Sequence, residues 1–81
     1  MATIRIHVVG GDGIEIVVTM NRSLPLKQLM DIYIEKTGHD KGKTRFLFEG
    51  QRLSPKQTPN ELGMEDDETI KVVVEQSGGG F

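Results

Sequence analysis

The last six residues of the chain have the types and spacing best suited to a chemical role. They read Gln76-Ser77-Gly78-Gly79-Gly80-Phe81 and follow an apolar run, residues 70–74. Because glycine has no β-carbon, we expect a backbone thin enough to enter a narrow enzyme channel. Such a terminus suits a carboxylate that is itself the reacting group, activated and then joined to an amine. An incidental chain end or an added linker is the alternative, and this pattern alone leaves both open.

The residues before this terminus predict a β-sheet. Residues 3–9 alternate isoleucine and valine with arginine and histidine, which is the period of a half-buried strand. A glycine-rich turn at residues 10–13 joins them to a β-branched run at residues 14–20, and together they predict a hairpin. Further strands are predicted at residues 44–49 and 69–74, with a short segment at residues 52–53.

One main helix is predicted between the hairpin and the third strand. Ser23 can cap it, Pro25 suits its first turn, and Gly38 marks its end after about 14 residues. Its apolar residues recur at spacings of three and four and form a stripe for the sheet to cover: Leu26, Leu29, Met30 and Tyr33, flanked by Ile32 and Ile34. A single further helical turn is predicted around residues 59–62.

The order of these elements, β-β-α-β-β, predicts the fold class. It is α+β with the β-grasp, or ubiquitin-like, architecture, in which a mixed sheet of four to five strands packs on one helix. In this architecture the first and last strands run parallel at the centre of the sheet. We therefore expect one β-grasp domain, residues 1–75, and a C-terminal glycine tail, residues 76–81, that projects from a central strand.

Composition argues against several classes of function. The chain has no cysteine, which excludes disulfides, thiol catalysis and zinc–thiolate sites. A net charge of −2 argues against binding driven by nucleic-acid phosphates. No apolar stretch approaches the roughly 20 residues of a membrane span, and the N-terminus lacks a signal-peptide pattern. We expect a monomer that contacts neither nucleic acid nor membrane directly.

Sequence motifs for catalysis are not recognisable. The glycines at residues 10–13 join two strands instead of opening a helix, so they do not form a phosphate loop. His7 and His39 lack the spacing of metal ligands, and we expect His7 to be an exposed strand residue. The acidic run at residues 65–68 lacks the central glycine of a calcium loop, which leaves a solvated turn or a docking patch. We expect no active site, metal or bound cofactor.

Three blocks of the sequence carry a family likeness. They are RFLFEGQR at residues 45–52, TPNELGME at residues 58–65 and EQSGG at residues 75–79. Together they resemble the small ubiquitin-like modifier family, SUMO, from about Ile4 to Gly79 without a gap. The resemblance implies a protein modifier and not an enzyme, matured at a Gly-Gly pair and joined by an isopeptide bond to lysines of target proteins.

The resemblance also implies the partners of the chain. A SUMO-specific cysteine protease trims the precursor, and an activating enzyme adenylates the new carboxylate. A conjugating enzyme, with ligases, then passes it to a target lysine. ATP is used by the activating enzyme and is not bound by this chain. The implied location is the nucleus and cytoplasm.

Alignment with the family places the reactive end at Gly78-Gly79 and the cut between Gly79 and Gly80. The third glycine leaves cleavage after Gly80 open, since this would also expose a Gly-Gly end. The chain as written is then a precursor, and we expect no activation until Phe81 is removed.

Two noncovalent surfaces follow from the resemblance. The first is a groove for SUMO-interacting-motif peptides, which add a strand between the second strand and the helix. Its matching positions are Ile16, Val18, Thr19, Met20, Leu29, Tyr33 and Lys36. The second surface docks the conjugating enzyme. Its matching positions are Arg45, Glu49, Gly50, Gln51, Glu65, Asp66, Asp67 and Glu68.

The sequence also departs from the family. Thr19, Asn21 and Gln28 stand where the groove usually has lysines, so we expect acidic peptide flanks to add less affinity. Only residues 1–3 precede the first strand, and no apolar-Lys-x-Glu motif for chain building occurs. Two other functions stay open: a noncovalent ubiquitin-like interaction domain and a sulfur-carrier β-grasp protein.

Overall fold

A computed structural model of the chain describes residues 2–75. It contains the strands β1 (Thr3–Gly10), β2 (Glu15–Asn21), β3 (Thr44–Phe48), β4 (Gln51–Arg52) and β5 (Glu68–Val74), and the helices α1 (Lys27–Thr37) and α2 (Pro59–Leu62). A 3₁₀ turn at Lys41–Lys43 leads into β3. Each predicted element is therefore present, with shifted ends, and the predicted tail at residues 76–81 lies outside the described residues. Within residues 2–75, neither helix is long and apolar enough to cross a membrane.

The five strands form one mixed sheet with the order β2-β1-β5-β3-β4. β1 and β5 are parallel, with His7 opposite Thr69 and Gly10 opposite Val72, and the other strand pairs are antiparallel. This confirms the predicted parallel pair of first and last strands. Because β5 lies between β1 and β3, the chain leaves the sheet at Val74 from its middle strand.

α1 covers one face of this sheet and closes the hydrophobic core. The predicted stripe of the helix is buried, as are the alternate residues of β1 and β5 that point toward it. The core contains Ile4, Ile6, Val8, Val18, Met20, Leu26, Leu29, Met30, Tyr33, Phe46, Phe48, Leu53, Met64, Ile70 and Val72. The opposite face of the sheet is left to solvent and carries most of the charged strand residues, such as Arg5 and Lys71.

The predicted start of the main helix is wrong. α1 begins at Lys27, with no side-chain cap, and the Ser23 hydroxyl instead donates to Asn21 Oδ1 at 2.6 Å. The N–H groups of Leu26 and Lys27 donate to the carbonyls of Gln57 and Pro55, at 2.7 and 3.0 Å. A distant loop therefore satisfies the donors that a cap would have satisfied. The predicted end is confirmed, because Gly38 is left-handed and donates its N–H to Ile34 O.

The second hairpin turn lies one residue earlier than predicted. Glu49 and Gly50 have φ angles of 53° and 80°, which is typical of the two-residue turn that matches strand twist. Gln51 therefore belongs to β4, where it pairs with Phe48, and Leu53 is buried below the sheet.

Gly10 makes room for the ring of Tyr33. A β-carbon at Gly10 would lie 2.5 Å from Tyr33 Oη, which is too close for any real contact. Tyr33 is fully buried, and within the described residues its hydroxyl makes no hydrogen bond. Its burial and the charge of Asp12 raise the pKa of Tyr33, so the hydroxyl is neutral.

We therefore expect the cost of Gly10→Ala to depend on the Tyr33 hydroxyl. Gly10→Ala alone should lower the free energy of unfolding by about 1–3 kcal/mol through overpacking. Tyr33→Phe alone should leave that free energy unchanged or raise it, because no hydrogen bond is lost. In the double variant the Gly10→Ala cost should shrink, as measured by urea unfolding. An equal cost in both backgrounds would contradict the contact.

Candidate functional site

The free edge of β2 is the main feature of the predicted peptide groove. β2 is the first strand of the sheet, so within the described residues one of its edges has no partner strand. Beside that edge, Ile16 is half-buried and Thr19 is exposed, while Lys36 is exposed on α1. An unpaired strand edge next to apolar surface is the arrangement that accepts a peptide as an additional strand.

Several predicted groove residues belong to the core instead of its surface. Val18 and Met20 are buried, and Leu29 and Tyr33 have no exposed surface. The Tyr33 ring packs edge-on against Phe46 of β3, with ring centroids 5.7 Å apart, so it points away from β2. In this conformation Leu29 and Tyr33 are buried in the core below the groove. Their contact with a peptide stays a prediction.

Ile32 is a groove candidate that the sequence interpretation omitted. It is half-buried on α1 and packs against the core. It lies three residues after Leu29 and four before Lys36, spacings that place all three on one helix face. That spacing was the signal in the sequence that could have identified Ile32.

The cations near the groove have partners within the chain. Lys27 Nζ lies 3.1 Å from Asp31 Oδ2, and Lys41 Nζ lies 3.0 Å from Asp31 Oδ1. Hydrogen bonds first from Lys41 and then from Lys27 lower the pKa of Asp31. Arg22 donates to Asn60 Oδ1 and to the carbonyl of Met64. Lys36 is then the groove cation with neither an ion pair nor a side-chain hydrogen bond inside residues 2–75, whereas Arg22 has hydrogen bonds but no ion pair.

The structure brings together part of the predicted docking surface for the conjugating enzyme. β3 and β5 are antiparallel with Leu47 opposite Lys71, so the turn at residues 49–51 lies beside the first residues of β5. The acidic run at residues 65–68 ends at the same place. Arg45 is separate: it lies about 13 Å further along β3. There it pairs with Glu75 at 2.9 Å.

Two acids of this run are already bound to β1. Asp66 Oδ1 accepts from the backbone N–H of Arg5 at 3.0 Å. Asp67 accepts from Arg5 Nε and Nη2, at 2.6 and 2.9 Å, and has a positive φ of 68°. Glu65 is exposed and Glu68 is half-buried. The run is therefore neither a fully solvated turn nor a fully free docking patch, because only part of its charge faces outward.

His7 is the centre of a small charge cluster. Its Nε2 lies 3.0 Å from Asp67 Oδ1, and its Nδ1 contacts Glu15 Oε2 on β2. Its side chain is 27% exposed, which corrects the expectation of an exposed strand residue. Both nitrogens can donate only in the imidazolium form. Hydrogen bonds to Asp67 and then to Glu15 raise the pKa of His7, and those from Arg5 and His7 hold the pKa of Asp67 far below its usual value.

This cluster predicts a pH-dependent stability. The His7 contribution is fully present below pH 6.5, its unfolded pKa, and is lost as pH rises through the raised folded pKa. The Asp67 contribution is present above its ordinary pKa of 3.8 and is lost only in stronger acid. Urea unfolding across neutral pH should show stability falling with pH in the wild type relative to His7→Lys, which stays charged. Equal slopes in the wild type and His7→Lys would contradict the cluster, since the two proteins differ only at residue 7.

Among residues 2–75, no group of three or more histidine or acidic side chains is arranged to hold a metal ion. Two surface features of the described chain are the candidate sites: the β2 edge with Ile16, Ile32 and Lys36, and the acidic end of the sheet.

A five-stranded mixed sheet with parallel central strands over one helix defines a ubiquitin-like β-grasp protein. The sequence matches the family described as "Ubiquitin-2 like Rad60 SUMO-like" over residues 4–74, and the chain belongs to this SUMO-like family. It is 43% identical over 79 residues to small ubiquitin-related modifier 2 of Arabidopsis thaliana, covering 98% of this chain and 77% of that protein. The chain is a SUMO-like protein modifier.

Solved structures support the fold. A ubiquitin of Caldiarchaeum subterraneum superposes with a TM-score of 0.83 at 18% identity, covering 95% of this chain and 99% of that one. A designed protein based on ubiquitin has a TM-score of 0.80 at 22% identity, covering 99% and 98%. At these identities the likeness concerns the β-grasp alone. The family match confirms the resemblance to SUMO and favours a modifier over the two other functions left open by the sequence.

Proposed function

We propose that the chain is conjugated to lysines of target proteins through its C-terminal Gly-Gly pair. The observation that carries this is the family match over residues 4–74, followed directly by the EQSGG block at residues 75–79. The chain is then the substrate and the tag. Catalysis belongs to the protease, the activating enzyme, the conjugating enzyme and the ligases, and ATP is consumed by the activating enzyme without a site on this chain.

The position of β5 supports this role. β1 and β3 pair with β5 on its two sides, so Val74 has a fixed place at the end of a central strand. Gly79 follows Val74 by five residues, for which the longest possible span is about 17 Å. The folded domain can therefore stay outside an enzyme while the carboxylate enters its active site.

Incubation with a SUMO-specific protease should remove Gly80-Phe81 and leave Gly79 as the new terminus, because the family likeness aligns Gly79 with the end of the mature modifier. Intact mass measures this directly. Only the trimmed chain should then form a thioester with the activating enzyme and ATP. The uncut chain serves as the matched control.

Loss of Phe81 alone would move the reactive end to Gly80. Absence of cleavage in a chain shown to be folded would contradict maturation at this tail. Thioester formation on the uncut chain would contradict the requirement for trimming.

We also infer that the edge of β2 binds extended apolar peptides of the SUMO-interacting type. Support comes from the free main chain of β2, the partly exposed side chains of Ile16 and Ile32, and the nearby cation Lys36. Lys27 already pairs with Asp31, and Thr19 and Gln28 are neutral. Acidic residues that flank the peptide therefore add little to its affinity.

Two matched peptides, with and without an acidic flank, should bind with similar Kd at low salt. Thr19→Lys or Gln28→Lys should each strengthen the binding of the acidic peptide by about 0.2–1 kcal/mol and leave the binding of the neutral peptide unchanged. Thr69→Lys, on the exposed face of a central strand, is the control for net charge. A strong acidic preference in the wild type, or an equal gain from Thr69→Lys, would refute this account.

A third part of the proposal is noncovalent docking of the conjugating enzyme at the acidic end of the sheet. The exposed residues Glu49, Gly50, Gln51 and Glu65 and the half-buried Glu68 support it, while Arg45 and Asp67 are occupied within the chain. Charge complementarity there would raise the association rate and specificity more than the affinity. In this proposal the protein acts as a monomer in the nucleus and the cytoplasm.

A further inference from the structure

A groove lies at the end of the sheet from which the tail departs. It has a volume of about 560 Å³. Three segments form it: the end of β1 with the turn after it, the last part of α1 with the loop after it, and the last residues of β5. Its lining includes Gly10, Gly11, Asp12, His39, Val72 and Val74. Neither the free edge of β2 nor the acidic end of the sheet contributes to it, so it is a separate surface.

The groove exists because the helix is shorter than the sheet face that it covers. α1 ends at Thr37, and Val74 beyond it is left 38% exposed, although Val72 two residues earlier is buried. The opposing wall has no side chain at Gly10 or Gly11. A β-carbon at Gly11 would meet no atom within 4 Å.

The wall of the groove also contains an unused hydrogen-bonding group. Tyr33 lines it, and its fully buried hydroxyl makes no hydrogen bond within residues 2–75. At the rim, His39 Nε2 lies 3.8 Å from Asp12 Oδ2. A mainly apolar concavity with a few polar groups, in the size range of about 300–1,000 Å³, is typical of a binding site.

We propose that this groove receives an apolar side chain of the protease that matures the tail. The inference rests on the proposed function and names a recognition site for it. Val72 and Val74 line the groove, and Gly79 follows Val74 by five residues, about 17 Å at full extension. A protease that holds Gly79 in its active site therefore lies against this end of the sheet. The valine side chains select an apolar group.

Filling the groove tests the proposal. Gly11 lines the groove, and Gly11→Leu adds a large apolar side chain there without a positive φ to strain it. Steady-state cleavage of the full chain should show KM raised about 10- to 100-fold, the equivalent of losing one buried apolar side chain. The kcat should be unchanged, because the contact is far from the scissile bond and is made equally in ground and transition states.

Two serine substitutions provide a matched comparison. Val74→Ser removes an apolar side chain from the groove wall. Val17→Ser removes one from the solvent face of β2 instead, and the two valines have similar exposure: 38% for Val74 and 50% for Val17. Val74→Ser should raise KM and Val17→Ser should not. Thermal unfolding of all variants checks that each is folded.

The outcomes separate the two proposals. A wild type that is not cleaved contradicts the proposed function and this inference with it. A wild type that is cleaved, with Gly11→Leu cleaved equally well, overturns the groove proposal and leaves the proposed function standing. Equal increases of KM in Val74→Ser and Val17→Ser also overturn it, because the effect would then not be specific to the groove.

Discussion

The parallel pairing of β1 with β5 is the constraint on which the rest of the structure depends. It joins the two ends of the described chain at the centre of the sheet, and its inward residues, such as Ile6 and Ile70, are fully buried. Parallel strands cannot be joined by a short turn, so all of the chain between them must cross from one end of the sheet to the other. α1 makes part of that crossing and buries its apolar stripe in doing so.

The same pairing positions both of the proposed functional regions. It begins where Asp67 N donates to Arg5 O at 2.7 Å, immediately after the acidic run, and it ends where Gly10 lies opposite Val72. The acidic end and the tail end are thus opposite ends of one strand pair. A partner that docks on the acidic run and one that holds the tail approach the domain from different sides.

The sequence predicted most of the fold because its signals are local. Alternation in β1, the α1 stripe and the left-handed glycine after the helix are each written in a few neighbouring residues. The start of α1 could not be predicted in this way, because its first N–H groups bond to carbonyls of Pro55 and Gln57, about 30 residues away. A local cap at Ser23 was plausible, and a tertiary contact replaced it.

The candidate site was also predictable only where the signals are local. The sequence placed Ile16, Thr19 and Lys36 near one edge, but it could not show that Tyr33 turns toward Phe46 of β3, since helical spacing fixes a face and not a neighbour. Nor could it show that Asp67 is held by Arg5 and His7, which are about 60 residues away. The sequence shows where the acidic run lies in the chain. It could not show which of its carboxylates are free to bind a partner.

The lengths of the two edge strands decide where an additional strand can pair. Of the sheet edges in residues 2–75, β4 has two residues and β2 has seven. A two-residue edge offers too few main-chain groups to hold a peptide, which is a common protection against unwanted pairing. β2 keeps a long free edge, and its exposed residues are Glu15, Val17 and Thr19. Such an edge leaves the main chain open to a peptide whose apolar side chains would fit beside Ile16. The geometry of the sheet therefore favours β2 over β4 as the edge for the proposed peptide binding.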